Sequence, residues 1–177
     1  MNSSNVSSQM DGWLVGWLQE RANKGGDFLV ATHYPESHWS KWVSVMYCWE
    51  HPEELWRLAK ATNMSPRPCD IFIDLDPQEG EKVVPVQRMW DIVSKLKYYQ
   101  LSPFEVFWTG SRGYHIHIEE PELNLLESMS QRERIRKHLL KRVGADLMLA
   151  SEKHLIAIPN IPHWKSGNPK ELIYKYP

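Results

Sequence analysis

The sequence predicts an α+β fold built on a mixed, largely antiparallel sheet flanked by helices. Apolar residues make up 42% of the chain and charged residues 24%, the balance of a protein that closes around a hydrophobic core. Strand-like and helix-like runs both recur, but without the strict strand–helix–strand order of a doubly wound sheet. Two strand-like runs, Phe104 to Thr109 and Tyr114 to Glu119, are joined only by Gly110-Ser111-Arg112-Gly113, a hairpin connection.

The elements follow in order. Met1 to Gln9 is polar and serine-rich, without the basic start and apolar stretch of a signal peptide, so residues 1–11 are expected to form a flexible leader and residues 12–177 a single domain. Trp13, Leu14, Trp17 and Leu18 recur at helical spacing and predict a helix over 12–23, ended by Gly25-Gly26. Phe28 to Thr32 and the β-rich Trp42 to Trp49 are expected strands, and Pro52 to Lys60 a helical turn or short helix. Asp70 to Asp76 is an apolar, β-branched strand that Pro77 ends. Val86, Met89, Trp90, Val93 and Leu96 lie on one face of a helix. After the hairpin come a helix over 131–143, short strands at 147–149 and 154–158, a Pro/Gly loop over 159–167 and a last strand at 172–176. The nine tryptophans are expected to be mostly core, Trp13 and Trp90 above all, with exposed ones serving a partner or base stacking.

Composition narrows the function. No apolar run approaches the ~20 residues that cross a bilayer, so no membrane partner is expected. Two cysteines, Cys48 and Cys69, cannot form a four-thiolate zinc site or a disulfide framework, and they suit a reducing, intracellular compartment. The net charge of −1 hides an asymmetry: residues 1–130 carry −7 and residues 131–177 carry +6. That split fits an acidic metal pocket beside a basic strip for phosphates, and equally a basic solvated helix over 132–142. A near-neutral total argues against tight, unaided binding of nucleic acid.

Three constellations carry chemistry. In Asp74-Leu75-Asp76 the two carboxylates are two apart on a strand and share a face, where they repel unless a cation such as Mg²⁺ or Mn²⁺ joins them. The bland reading is a strand end with two surface acids, and Asp70, at the strand's start, is taken as one. In Thr109 to His117 the glycines let backbone amides approach an anion, Arg112 offers a fork for phosphate oxygens, and His115 and His117 share a strand face. The bland reading is a Gly-rich hairpin with incidental histidines. Asp146 could complete a three-carboxylate cage, while His163 and Lys165 sit in a loop suited to a triphosphate. A lone Asp at a strand start is also an ordinary cap.

In this order the motifs resemble those of the archaeo-eukaryotic primases and primase-polymerases. IDLDP is similar to their first motif, TGSRGYHIHI to their second (SGxRGxHxW), and ADLML with HLIAIPNIPHWKSG to their third (an aspartate, a strand, then PxSxHxKTG). Pro68 to Glu119 also resembles the polymerase domain of bacterial end-joining ligases, and the whole resemblance spans roughly residues 40–177. It implies a primase-polymerase catalytic core. Asp74, Asp76 and Asp146 would hold two Mg²⁺ or Mn²⁺ ions and carry catalysis. Thr109, Ser111, Arg112, Gly113, His115, His163 and Lys165 would bind the nucleotide. The implied activity is template-directed transfer of an NTP or dNTP onto a 3′-hydroxyl, in replication priming or end-joining repair. The implied partners are template and primer with a large primase subunit or a repair ligase, in the cytoplasm at the nucleoid. The sequence departs from the family at Ala157, where a Lys or Arg is common, and at Ile161, where a serine is expected. The stretch from Asp76 to Thr109 holds no cysteine, so the zinc module of replicative primases is missing from it. Two other readings compete: an accessory subunit or nucleotide-binding module of the same fold, and a metal-dependent phosphohydrolase using His115, His117 and the acids.

Overall fold

The computed structural model describes residues 4–34, 39–101, 103–163 and 165–177, and side chains in the first helix from residue 12 onward. Among the described residues, eight strands form two four-stranded sheets in which every pair is antiparallel. The first, in spatial order, is β2 (Val43–Ser44), β1 (Leu29–Ala31), β3 (Asn63–Met64) and β7 (Ile156–Ala157); the second is β4 (Asp70–Leu75), β6 (Tyr114–Glu119), β5 (Phe104–Trp108) and β8 (Glu171–Tyr176). The helices are α1 (Ser4–Gly25), α2 (Val45–Glu50), α3 (Leu55–Ala59), α4 (Val86–Tyr98) and α5 (Met129–Val143). Helix α1 is longer than the 12–23 predicted. The leader expected over 1–11 falls on residues 1–3 and on the side chains of 4–11, outside what is described.

Strand β4 divides the molecule. Ile71, Ile73 and Leu75 face one side and join β6, β5, α4 and α5 in one hydrophobic core. Phe72 faces the other and joins a second core built by α1, α2, α3 and the first sheet. This is the alternation of a strand buried on both faces, and the sheet sits between two packed layers. Asp74 shares the side of Phe72, so the strand delivers a carboxylate between the two sheets.

Several expectations are corrected. Residues 42–49 are not one strand: β2 ends at Ser44, whose hydroxyl accepts from the Tyr47 amide and caps α2, while Asp27 Oδ1 accepts from the Met46 amide at 3.0 Å. Capping and the burial of Val45 and Cys48, three apart, outweigh the β-propensity of the run. Residues 147–149 form part of a 3₁₀ helix, Leu147–Ala150, opened by Asp146 rather than a strand. Trp13 and Trp90 are 44% and 39% exposed, not core; Trp13 stacks on Trp17, and Trp90 meets Tyr174 edge-on.

Asp70 is no surface acid. It is 2% exposed, and Arg67 donates to it from Nε (3.0 Å), Nη2 (2.8 Å) and the backbone, while Arg21 Nη2 adds a contact at 2.6 Å. Burial alone would raise its pKa, but Arg21 and Arg67 outweigh that and hold the carboxyl below the ordinary range. Arg136, buried on α5, donates to the carbonyls of Asp70, Arg67 and Pro68, seating the helix on the start of β4. Removing one partner of such a buried pair strands the other charge. Arg67→Ala is therefore expected to lower the unfolding free energy by about 3–5 kcal/mol in urea titrations; a loss under about 1 kcal/mol would show the knot to be dispensable.

Candidate active site

The site begins with the pairing of β4 and β6. Their register sets Asp74 opposite His115 and Phe72 opposite His117, and β5 sets Phe107 opposite His115. Opposed residues in a ladder share a face, so Asp74, His115 and His117 turn the same way, as the spacing of the two histidines predicts. Asp76 follows the strand's last residue. The two carboxylates look into a cleft of about 330 Å³ between the sheets, with Asn63, Ile156 and Ala157 of the first sheet across from them.

The hairpin turn closes one wall. Gly113 packs so tightly on the end of β4 that a Cβ there would stand 2.2 Å from the Leu75 carbonyl oxygen, and one on Gly110, at φ +78°, would stand 2.5 and 2.7 Å from the Asn168 and Pro169 carbonyl oxygens. Only glycine permits both approaches. Ser166 Oγ and Asn168 Nδ2 donate to the Gly110 carbonyl, at 2.6 and 3.2 Å, and tie the 163–169 loop to the turn. Thr109, Ser111, Arg112, Gly113, His163 and Lys165 all line the cleft as a result. The turn is a weaker anion nest than its glycines suggest, because Thr109 Oγ1 accepts from the Ser111 and Gly113 amides. The cations that an anion in the cleft would meet are instead the side chains of Arg112 and Lys165, both exposed.

Electrostatics separate the acids. For Asp74, burial raises the pKa, but His115, Lys170 and His154 outweigh it and leave the carboxyl below its usual value. For Asp76, burial and then the charge of Asp74 raise it, with Asp146 adding to the rise and Arg112 and Lys165 opposing. Asp74 Oδ1 is buried without a hydrogen-bond partner among the described residues; His115 Nε2 lies 3.3 Å away but off hydrogen-bond geometry. A buried, unsatisfied carboxylate oxygen beside a second acid suits a hard divalent cation, so Asp74 and Asp76 fit the Mg²⁺ or Mn²⁺ that the sequence motifs imply. Asp146 is brought near but not in. It is exposed, it is not among the lining residues, and its Oδ1 accepts from the Met148 amide at 2.9 Å as a helix cap. No group of three or more His, Cys, Asp or Glu side chains is gathered to hold a metal among the described residues.

The two histidines part ways. His115 faces the cleft, while His117 Nε2 meets Lys170 Nζ at 2.8 Å with its ring against Phe72 and Phe107. Taken up by Lys170, His117 makes no metal pair with His115. Nothing in the sequence pattern points to Lys170, since a lysine defaults to the surface. Here it is 0% exposed, donates to the Ala157 carbonyl at 2.8 Å and rides over the Phe107 ring. It puts an amine beneath the floor of the cleft, and burial pushes its pKa well below the usual lysine value, with Asp74 opposing. Trp39, half-exposed at the cleft and edge-on to His33, carries no motif that would single it out either.

No protein-family model matches the sequence, and no curated protein matches it. Among solved structures, the polymerase domain from Mycobacterium tuberculosis ligase D in complex with DNA superposes with a TM-score of 0.51. The two share a fold. Identity is 14%, and the match covers 82% of this chain and 63% of the ligase D domain, so this chain spans less than two thirds of that neighbour. It is the α+β arrangement that the sequence predicts, in two antiparallel sheets rather than one.

Two outcomes follow from this geometry. Burial, reinforced by Lys170, lowers the His115 pKa to about 4, with Asp74 opposing. Between the unfolded value of 6.5 and about 4 the unfolded chain takes up a proton that the folded chain refuses, so stability falls as pH falls through that window, by about 3 kcal/mol for this group. Denaturant titrations at pH 7 and 4.5 should show that loss, and His115→Asn should lack its share; an equally steep loss in the variant would remove His115 as the cause. Gly113→Ala should cost about 1–3 kcal/mol by overpacking, read as a lower melting temperature. Unchanged melting would mean that the approach to Leu75 relaxes freely.

Proposed function

We propose that this chain is a template-dependent nucleotidyltransferase of the primase-polymerase type, adding NTPs or dNTPs to a 3′-hydroxyl, with residues 12–177 as one catalytic domain. The observation that carries the proposal is convergence. Asp74 and Asp76, the Thr109–His115 turn, and His163 with Lys165 come from three separate stretches of chain and line one cleft. Each matches a primase motif by type and order, and the fold is shared with a DNA-bound polymerase domain.

Asp74 and Asp76 would hold divalent Mg²⁺ or Mn²⁺, two ions being completed by Asp146 through its second carboxylate oxygen. A metal held there would supply acidification of the attacking hydroxyl and neutralisation of phosphate charge. The chain's own groups do the rest. Arg112 and Lys165 clamp the triphosphate. The Lys165 amide donates to His163 Nδ1 at 3.3 Å, so the neutral ring carries its proton on Nε2 and can donate it to a phosphate oxygen. His115, neutral and wedged against Asp74, fixes the orientation of that carboxylate. Catalysis on this reading is positioning plus electrostatics.

A nucleotide-binding module that does not turn over is the competing reading, favoured by Asp146 outside the cleft lining and by Ala157. Primer extension with Mn²⁺, labelled NTP or dNTP and a primed template separates the two. Asp74→Asn and Asp76→Asn are expected to cut extension by a factor on the order of 10³, and Arg112→Ala to raise the nucleotide KM about tenfold with kcat less changed. Near-normal extension by either Asp variant would end the nucleotidyltransferase reading. Tight Mn²⁺-dependent NTP binding with no extension by the unaltered chain would establish the module instead.

A further inference from the structure

The excess positive charge of the last third of the chain is not spread over the surface. Arg134, Lys137, His138 and Lys141 lie at i, i+3, i+4 and i+7 on α5, all exposed, so they form one stripe along the helix. The opposite face holds the buried Arg136, Leu140 and Val143, which fixes the stripe outward. Several cations elsewhere on the chain are paired with acids: Lys24 with Glu20, Arg57 with Glu54, Arg88 with Glu81, Lys175 with Glu105. Among the described residues no ion pair takes up Arg134, Lys137 or Lys141. Glu133, one turn before Lys137, is the one acid on the helix, and no ion pair joins the two.

The stripe also has a direction. Arg136 seats α5 on the carbonyls of Arg67, Pro68 and Asp70, at the start of β4. The helix then ends at Gly144 and runs into Asp146, whose charge is felt by Asp76 beyond the other end of the same strand. The cations therefore run for about 10 Å (seven residues at 1.5 Å each) toward the end of the molecule where the cleft opens. That length spans two or more phosphates of a nucleic-acid strand, whose charges fall at a regular few-ångström spacing.

We propose that this face of α5 binds the sugar-phosphate backbone of the nucleic acid on which the cleft acts, which rests on the nucleotidyltransferase reading above. The stripe gives local attraction to a chain whose net charge is only −1. It holds by phosphate contacts alone, so binding is independent of sequence and steeply dependent on salt.

The test is fluorescence anisotropy of a labelled primer–template duplex, with salt varied, for the unaltered chain, for R134Q/K137Q/K141Q and for R134E/K137E/K141E. The glutamine variant keeps helix propensity, and its melting curve checks the fold. It is expected to weaken binding at least tenfold at 0.1 M salt and to reduce the slope of log K against log salt by about 2–3, near 0.9 for each phosphate that the protein no longer neutralises. The glutamate variant should weaken it further. An affinity within twofold of the unaltered chain and an unchanged slope would overturn the proposal. So would polyglutamate binding by the unaltered chain that the stripe variants lose while their DNA binding stays intact, which would assign the stripe to an acidic polypeptide. Mn²⁺-dependent binding of a labelled NTP reads the cleft separately, and the stripe variants should retain it. If the unaltered chain extends no primer and the stripe variants release DNA, the cleft reading falls and the stripe stands. If it extends primers and the variants bind DNA normally, the reverse holds.

Discussion

Six consecutive residue pairs, Asp70 with Glu119 through Leu75 with Tyr114, hold β4 against β6. Side chains on a strand alternate, so a slip of one residue would turn Asp74 toward the helices and Ile73 toward the cleft. The register is pinned at both ends. At the start, Arg67 binds Asp70 and Glu119 at once, one residue on each strand of the pair. At the far end, Gly113 lies against the Leu75 carbonyl at a distance that no side chain allows. The hydrophobic alternation alone would favour this pairing, but the two clamps make any neighbouring register costly. The positions of Asp74, His115 and Arg112 all descend from it.

That same pairing sets the electrostatics of the cleft. Two carboxylates face an opening whose cations, Arg112 and Lys165, come from loops, while the amine of Lys170 is buried beneath. Burial pushes the Lys170 pKa well below its usual value, with Asp74 opposing, and His117 Nε2 and the Ala157 carbonyl accept hydrogen bonds from the buried amine. His117 can do so only as a neutral ring, which its burial and the adjacent Lys170 enforce by pushing its pKa well below 6.5. The neutral histidine, the buried lysine and the ionised Asp74 thus depend on one another. A charge of either sign could not be removed from this layer without unsettling the others.

How much of this was legible in the sequence depended on whether a residue's role was local. The strands at 70–76, 104–109 and 114–119 and the helices at 86–98 and 131–143 announced themselves by periodicity, and the hairpin glycines by turn chemistry. Asp74, Asp76, Arg112, His115, His163 and Lys165 stood in motifs, and all of them line the cleft. What was hidden is what depends on distant partners. Asp70 looks like a strand-end acid until Arg21, far back in the chain, is folded onto it. Lys170 looks solvated until His117 and Ala157 surround it. Residues 42–49 read as a strand because the cap supplied by Ser44 and the support of Asp27 are not part of the β-propensity of the run.

Asp146 is where motif and geometry pull apart, and the energies involved decide how much that matters. Its carboxylate caps a 3₁₀ helix of four residues, Leu147–Ala150, with one hydrogen bond to Met148. Such a cap is worth about 1 kcal/mol, and the side chain is exposed, so turning it costs little desolvation. The left-handed φ of +81° at Gly144 ends α5, so that Gly144 and Ala145 alone lie between helix and carboxylate. Asp146 cannot travel far, yet its charge already raises the pKa of Asp76. The two carboxylates repel, and a divalent ion between them would change the sign of the interaction. A cap of about 1 kcal/mol is a weak opponent to attraction of that kind, so a cation held by Asp74 and Asp76 would be opposed by little more than one hydrogen bond in drawing Asp146 toward it.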